Sequence, residues 1–428
     1  MKFMQGKCII ITGAGFSAPA RLPIQDQIIR EMTQKFDGGI LNEEDDFETL
    51  KFFEAYINVA LYLLDIYGKG DYSDIKSAYR MLNENLKESK VITKLIDIFM
   101  ARKVSVGAEA INIMNDLILD NSIYYREISL FKEKVRECLE RESITVNLED
   151  VFTSFDKSLN LKEHIHKYTY AELDKIRHSI VRLFVYYFSK CIDKHDFQHS
   201  DYLSFIDYLK KNYKNTHPTI ITTNWDTLLE KYLDENSMEY GLVLHDNYYI
   251  VDGYPRGKGL TEKLNLIKIH GSINWLRCLS CNTLSVTNDA PTILFQDGTK
   301  EKCNRCSSEN SILFQPEIVT PTMIKSIDSL LYRNLWGASG NELMSAEHII
   351  FVGYSLPLAD YDFRYLLQKH VSISTKIDVV LYKNDNPDNI DSPYLKALLP
   401  EKRYRDLFPR NPITFYYEGF GEYFASRQ

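Results

Sequence analysis

Cys8-Ile9-Ile10-Ile11-Thr12-Gly13-Ala14-Gly15-Phe16-Ser17 is the stretch that decides the fold. A short apolar, β-branched run that ends in turn residues reads as a buried parallel strand. Gly13 and Gly15 then allow a tight turn and a close approach of backbone to phosphate. Ser17 is expected to open a helix whose free amides and dipole favour an anion. The usual dinucleotide fingerprint has a third glycine three residues after the second, where this chain has Ala18, so the turn alone also fits a plain strand-to-helix connection. Two later stretches repeat its layout: Thr222-Thr223-Asn224-Trp225-Asp226 follows Thr219-Ile220-Ile221, and His270-Gly271-Ser272 follows Leu264 to Ile269. Together the three predict one nucleotide site at the carboxyl edge of a parallel sheet, where ligands of open α/β sheets lie.

A chain of 428 residues suffices for one large core with insertions or for two to three domains. Ile24, Ile28, Met32 and Phe36 recur at helical spacing, and Gly38-Gly39 ends that helix. From there to about Tyr170 no strand stands out, and patterns such as Phe47, Leu50, Phe53, Ile57, Leu61 and Leu64 read as a helical insertion. Leu173, Ile176, Ile180, Leu183 and Tyr187 form one further stripe and Leu203, Ile206 and Leu209 another, both packing faces. After Pro218 short apolar runs return at Thr219 to Thr222, Leu264 to Ile269, His348 to Val352, Ile377 to Leu381 and Ile413 to Tyr417. The expected organisation is the first part of a Rossmann-like domain over 1–36, a helical insertion over 37–170, and the remainder of the Rossmann-like domain over 171–428.

Seven cysteines, an odd number with no secretory signal, make a poor disulfide framework. Cys278-x-x-Cys281 and Cys303-x-x-Cys306, 21 residues apart, instead fit a tetrahedral thiolate site for structural zinc, within a small ribbon over 275–313. Cys8, Cys138 and Cys191 read as small core residues. A net charge of -8 argues against nucleic acid or an anionic membrane as a bulk electrostatic partner. The apolar start is too short for a signal peptide, and the stretch around Ile180 to Ile192 is interrupted by Arg182 and Lys190. A cytoplasmic protein is expected.

The motifs taken in order resemble the sirtuin family, NAD-consuming enzymes with a Rossmann-like domain, a zinc ribbon and a helical insertion. Gly13-Ala14-Gly15-Phe16-Ser17 is similar to the family's phosphate loop, Thr222-Thr223-Asn224-Trp225-Asp226 to its Thr-Gln-Asn-Ile-Asp motif, His270-Gly271 to its catalytic histidine pair, and Gly353-Tyr354-Ser355-Leu356 to its Gly-Thr-Ser-Leu. The resemblance implies NAD as substrate, with Gly13, Ala14, Gly15, Ser17 and Thr223 around it. It makes His270 the base toward the nicotinamide ribose, lets Asn224 hold the ribose or a water, and sets Asp226 near the nicotinamide amide. Gly353 and Ser355 would contact the diphosphate or the adenosine ribose, which Asn384 would read. Taken one by one, His270-Gly271 also fits a local cap, and Asn224-Trp225-Asp226 a helix start. Trp225 and Trp275 fit either core or the wall of a site.

The departures select within the family. Deacylases follow the glycine loop with Gly-Ile-Pro-Asp-Phe-Arg; here Arg21-Leu22-Pro23-Ile24-Gln25-Asp26 keeps only the proline. Their peptide-clamping Phe-Gly-Glu-x-Leu-Pro is replaced by Phe314-Gln315-Pro316-Glu317-Ile318-Val319. The insertion's Asn147-Leu148-Glu149-Asp150-Val151-Phe152, with Thr-Asn-Trp-Asp, is similar to bacterial sirtuin-like effectors of anti-phage defence that hydrolyse NAD. The expected function is therefore an NAD glycohydrolase giving nicotinamide and ADP-ribose. The alternatives are a protein-lysine deacylase and a non-catalytic NAD or ADP-ribose sensor. With the chain ending soon after its last strand, restraint is expected from a homo-oligomer or a separate activator, such as a HerA-type ATPase or an Argonaute-like protein.

Overall fold

In the computed structural model, which describes residues 7–22, 148–212, 218–244, 264–288, 290–295, 314–325, 329–389 and 399–427 with Val59, Tyr62, Leu63, Ile66, Cys303 and Cys306, the first apolar run forms β1 (Cys8–Thr12), buried at every position. The later runs form β2 (Thr219–Thr222), β3 (Tyr240–Leu242) and β4 (Leu264–Lys268). After the small strands β5 (Gly271–Cys278), β6 (Leu284–Val286) and β7 (Phe314–Ile318) come β8 (His348–Val352), β9 (Lys376–Val380) and β10 (Ile413–Tyr416). Seven of these make one sheet in the order β10-β9-β8-β1-β2-β4-β3, every neighbouring pair parallel. Burial at every position of β1, β2, β4 and β8 explains why these strands read as unbroken apolar runs rather than alternating ones, while β10 at the edge is only partly covered. β3, at the sheet's edge and only three residues long, escaped the sequence pattern for that reason.

Register sets up the site. Thr12 pairs with Thr222 on one side and Val352 on the other. Thr222 in turn pairs with Lys268, and Val352 with Val380. The carboxyl ends of five strands thus finish in one row, and Gly13, Thr223, Ile269, Gly353 and Leu381 are the next residues out. The chain lays β2 and β4 on one side of β1 and returns to lay β8 on the other, making β1 the point where strand order reverses.

The turn differs from expectation in one respect. The helix after β1 is a single turn, Ala14–Ser17, and Ser17 closes it rather than opening it. The turn closes on itself through Phe16 N to Gly13 O (2.8 Å) and is tied to the residue after β8, Gly15 N donating to Gly353 O (2.8 Å). A Cβ on Gly15 would lie 2.8 Å from Gly353 Cα, so both positions require glycine for close approach.

Longer helices cover the sheet. Tyr170–Asp193 starts at a capping box of Thr169 and Glu172 and buries the predicted stripe from Leu173 to Tyr187. Ser200–Asn212 buries Phe205, Ile206 and Leu209, while Leu203 is only partly covered. Phe16 meets Tyr202 and Phe205 edge-on and stacks on Phe420 of the last helix, Phe420–Ala425, at 4.9 Å. The chain divides into two compact units, Met1–Phe52 with Asn147–Gln428, and Phe53–Val146. The expected helix from Ile24 to Phe36 and most of the expected insertion lie outside the described residues; Leu148–Leu161 is helix.

β5 leaves the large sheet through His270 and pairs antiparallel with β6 and β7. Gly271 makes this exit at φ +77, and a Cβ there would stand 2.1 Å from Glu317 O. Only glycine fits both the backbone angle and the contact. Trp275 is fully buried in this small sheet, so it is core and not a wall of the pocket. No helix among the described residues is long and apolar enough to cross a membrane.

Candidate functional site

A cavity of about 440 Å³ opens over the row of strand ends, lined among others by Ala14, Gly15, Ser17, Thr223, Asn224, Asp226, His270, Gly353 and Ser355. Its place, at the switch point of a parallel sheet, is where such sheets bind small molecules. Gly13 supports this wall from behind, packed on Tyr354. Asn384 does not reach the cavity: it is exposed on the turn Lys383–Asp385, and Tyr382 and Asp385 line that end. Trp225 lines the cavity too, held by a bond from its Nε1 to Val319 O (3.0 Å) and stacked on Phe184.

Hydrogen bonds fix which atoms remain for a ligand. Asn224 Nδ2 donates to Gly13 O (2.9 Å) and to Ser17 Oγ (3.0 Å), and Ser17 Oγ donates onward to Asp226 Oδ2 (2.8 Å). Because the amide nitrogen is committed to these acceptors, Asn224 presents its Oδ1 to the cavity. Asp226 Oδ1 accepts from Leu228 N at the start of helix Leu228–Glu235 (3.1 Å). Both oxygens of Asp226 are thus engaged, so it braces the turn and the helix start. Below it the fully buried Lys268 bonds Asp226 O and Glu230 Oε1, each at 2.6 Å.

His270 is buried, and its Nε2 has no hydrogen-bond partner among the described residues. Burial pushes its pKa down to about 4; Asp360 and a bond to the Thr223 backbone work upward, and Lys325 works further downward. The imidazole is therefore neutral at physiological pH and able to accept a proton. Its Nε2 stands 3.7 Å from Asp360 Oδ1, the same oxygen that receives the Lys325 ammonium. Asp360 Oδ2 accepts from the Tyr354 hydroxyl (2.9 Å). Burial opposes ionisation of Asp360, but His270, Lys325 and Tyr354 hold its carboxyl below the ordinary carboxylate range.

Lys325 and Asp360 did not stand out in the sequence. Asp360 follows Gly353-Tyr354-Ser355-Leu356 by four residues and Lys325 follows the Phe314 to Val319 stretch by six, but neither sits in a recognisable pattern. Backbone ties bring Lys325 in: Val319 N donates to His270 O (2.8 Å) and Met323 N to Thr153 Oγ1 (2.9 Å), and the Arg177 guanidinium reaches Thr320 Oγ1 (3.1 Å).

The four cysteines converge as expected, their sulfurs all within 4.8 Å of one another. Cys278 and Cys306 are 3.8 Å apart, and Cys281 and Cys303 3.5 Å. Zinc–sulfur bonds of about 2.3 Å in a tetrahedron put sulfurs roughly 3.8 Å apart. The set fits a zinc ion with four thiolates and no open position, a structural centre closing the ribbon of β5 to β7.

The fold and the cavity define an α/β protein with a Rossmann-like parallel sheet, a cavity at its switch point and a small ribbon carrying four clustered cysteines. Residues 218–397 match the family model described as a SIR2-like domain. That stretch, less than half of the chain, holds Thr223, Asn224, Asp226, His270, the four cysteines, Gly353, Ser355 and Asn384; the Gly13–Ser17 turn precedes it. No curated protein matches the chain. Among solved structures it is similar to a Sir2 homologue in complex with ADP-ribose, at 17% identity over 60% of this chain and 74% of that one, with a TM-score of 0.33. It is also similar to Sir2Tm bound to a propionylated peptide, at 11% identity over 98% of this chain and 91% of that one, with a TM-score of 0.34.

Proposed function

We propose that this chain is an NAD glycohydrolase, cleaving the nicotinamide–ribose bond to give nicotinamide and ADP-ribose. The observation that carries the reading is the neutral, buried His270 with an unpartnered Nε2, in the same cavity as Asn224 and the Gly13–Ser17 turn. In this reading the diphosphate lies against Ala14, Gly15 and Ser17, which Gly13 supports from behind, with Gly353 and Ser355 on its other side. The adenosine end points toward Tyr382 and Asp385. Cleavage passes through an oxocarbenium-like sugar, so the site must tolerate positive charge and supply a nucleophile. His270 takes the proton from a ribose hydroxyl or water, and Asn224 Oδ1 orients the same group. Zinc, held by Cys278, Cys281, Cys303 and Cys306, is structural.

The motif departures set out above favour hydrolysis over deacylation and a role in anti-phage defence through NAD depletion. Such an activity needs restraint, which we assign to a homo-oligomer or a separate activator of the HerA-type ATPase or Argonaute-like kind. The organisation into 1–36, 37–170 and 171–428 and a cytoplasmic location belong to the same proposal. The test is incubation of the purified protein with NAD, with and without an acetyl-lysine peptide, with products resolved by mass spectrometry. Nicotinamide and ADP-ribose without peptide support it. O-acetyl-ADP-ribose formed only with peptide makes the chain a deacylase, and tight NAD binding without turnover by the fully assembled protein makes it a sensor.

A further inference from the structure

Two acceptors face each other in the lining of the cavity. His270 Nε2 carries a lone pair in the neutral ring, and Asp360 Oδ1 is a carboxylate oxygen 3.7 Å away. They are too far apart for a direct hydrogen bond and electrostatically opposed unless a donor joins them. An oxygen about 2.8 Å from each, an ordinary hydrogen-bond length, fits a separation of this size. A donor that satisfies both must bring two hydrogens on one atom, and a water does.

We propose that Asp360 is a catalytic residue of this site, holding with His270 the water that attacks the sugar, and that Lys325 is the positioning residue that aims its carboxylate. This rests on the glycohydrolase reading and deepens it by naming what selects water as nucleophile. The water donates one hydrogen to His270 Nε2 and the other to Asp360 Oδ1, which directs its lone pair at the ribose C1′. The water oxygen bonds to C1′ as the bond from C1′ to the nicotinamide nitrogen breaks. That electron pair leaves with nicotinamide, which departs neutral. One proton passes to His270 Nε2 and then to solvent, and the other stays on the new hydroxyl of ADP-ribose.

The carboxylate is built for this position. Tyr354 occupies Oδ2, and the Lys325 ammonium, its side chain 2% exposed, sits on Oδ1, leaving that oxygen's second lone pair toward His270. Tyr354 is itself fixed by the Tyr404 hydroxyl on its carbonyl (2.7 Å). All three of His270, Lys325 and Asp360 line the cavity.

Methanol has a single O–H and cannot donate to both acceptors, so the wild-type protein itself tests the arrangement. NAD turnover in water–methanol mixtures is followed by mass spectrometry of ADP-ribose and O-methyl-ADP-ribose. The expected result is methanolysis at least about tenfold below methanol's mole fraction, the discrimination gained when one buried acceptor is left unpaired. Asp360→Asn keeps the shape but replaces the carboxylate with a neutral amide, whose oxygen is a weaker acceptor for the water's second hydrogen. It is expected to lose roughly 100-fold in kcat with the KM for NAD within about threefold, and to lose the discrimination against methanol. Methanolysis in proportion to mole fraction by wild type overturns the inference and leaves the glycohydrolase intact. No NAD turnover by the fully assembled wild-type protein, activator included, overturns both.

Discussion

Residue by residue, the proposed reaction depends on His270 acting as a base. Its pKa near 4 puts the acidic limb of kcat/KM for NAD near pH 4, whereas an exposed histidine would place it near 6.5. The sign follows from burial: the protonated ring is penalised, so the active neutral form persists as pH falls, with Asp360 moderating and Lys325 reinforcing the effect. A pH–rate profile with its limb at 6 to 7 would show that the ring is solvated in the working enzyme. Replacing His270 with alanine is expected to cost about 10²–10⁴-fold in kcat. Asn224 and His270 were legible in the sequence because each directly follows a strand whose apolar run announces its end. Lys325 and Asp360 were not, because each reaches the site through loop contacts that only the fold creates. Asn384 lies outside the cavity lining, because the turn after β9 presents Tyr382 and Asp385 there instead.

Among the elements, the Gly15–Gly353 contact and the ribbon carry the site's geometry. Gly353 has φ +59, and a Cβ would lie 2.3 Å from Phe16 N. Gly353→Ala is expected to destabilise the fold by about 1–3 kcal/mol from the backbone alone and to weaken NAD binding by prising β8 from the turn after β1. Chemical denaturation and calorimetric NAD titration measure the two effects on one variant. The ribbon couples through Gly271, the residue after the proposed base. One zinc per chain is expected by elemental analysis, and its removal by a chelator should unfold β5 to β7 and abolish NAD turnover together. Activity that survives complete zinc loss would separate the ribbon from the site. The paired Cys-x-x-Cys spacing announced this module in sequence, whereas its strands did not show: β6 is three residues long and β5 is buried almost throughout.

At the scale of the whole molecule, the cavity and a buried polar group lie at different heights of the same sheet. The carboxyl ends carry the cavity. Farther down, His348 at the start of β8 reaches Asp378 midway along β9, its Nε2 3.0 Å from Asp378 Oδ2, which also accepts from the Tyr423 hydroxyl (2.8 Å). The last helix touches both places, Tyr423 at Asp378 and Phe420 against Phe16 beside the cavity. Two substitutions should therefore separate. Asp378→Ala leaves two buried groups without their acceptor, at a cost of about 2–4 kcal/mol, with the KM for NAD unchanged. Phe420→Ala removes a buried ring, at about 3–5 kcal/mol, and loosens Phe16, so the KM should rise as well. Unfolding free energies measured beside KM on the two variants decide the matter. A raised KM in Asp378→Ala would mean that strain travels along the sheet to the cavity, whereas an unchanged KM in Phe420→Ala would mean that the ties of Gly15 to Gly353 and Tyr382 hold the turn without the helix.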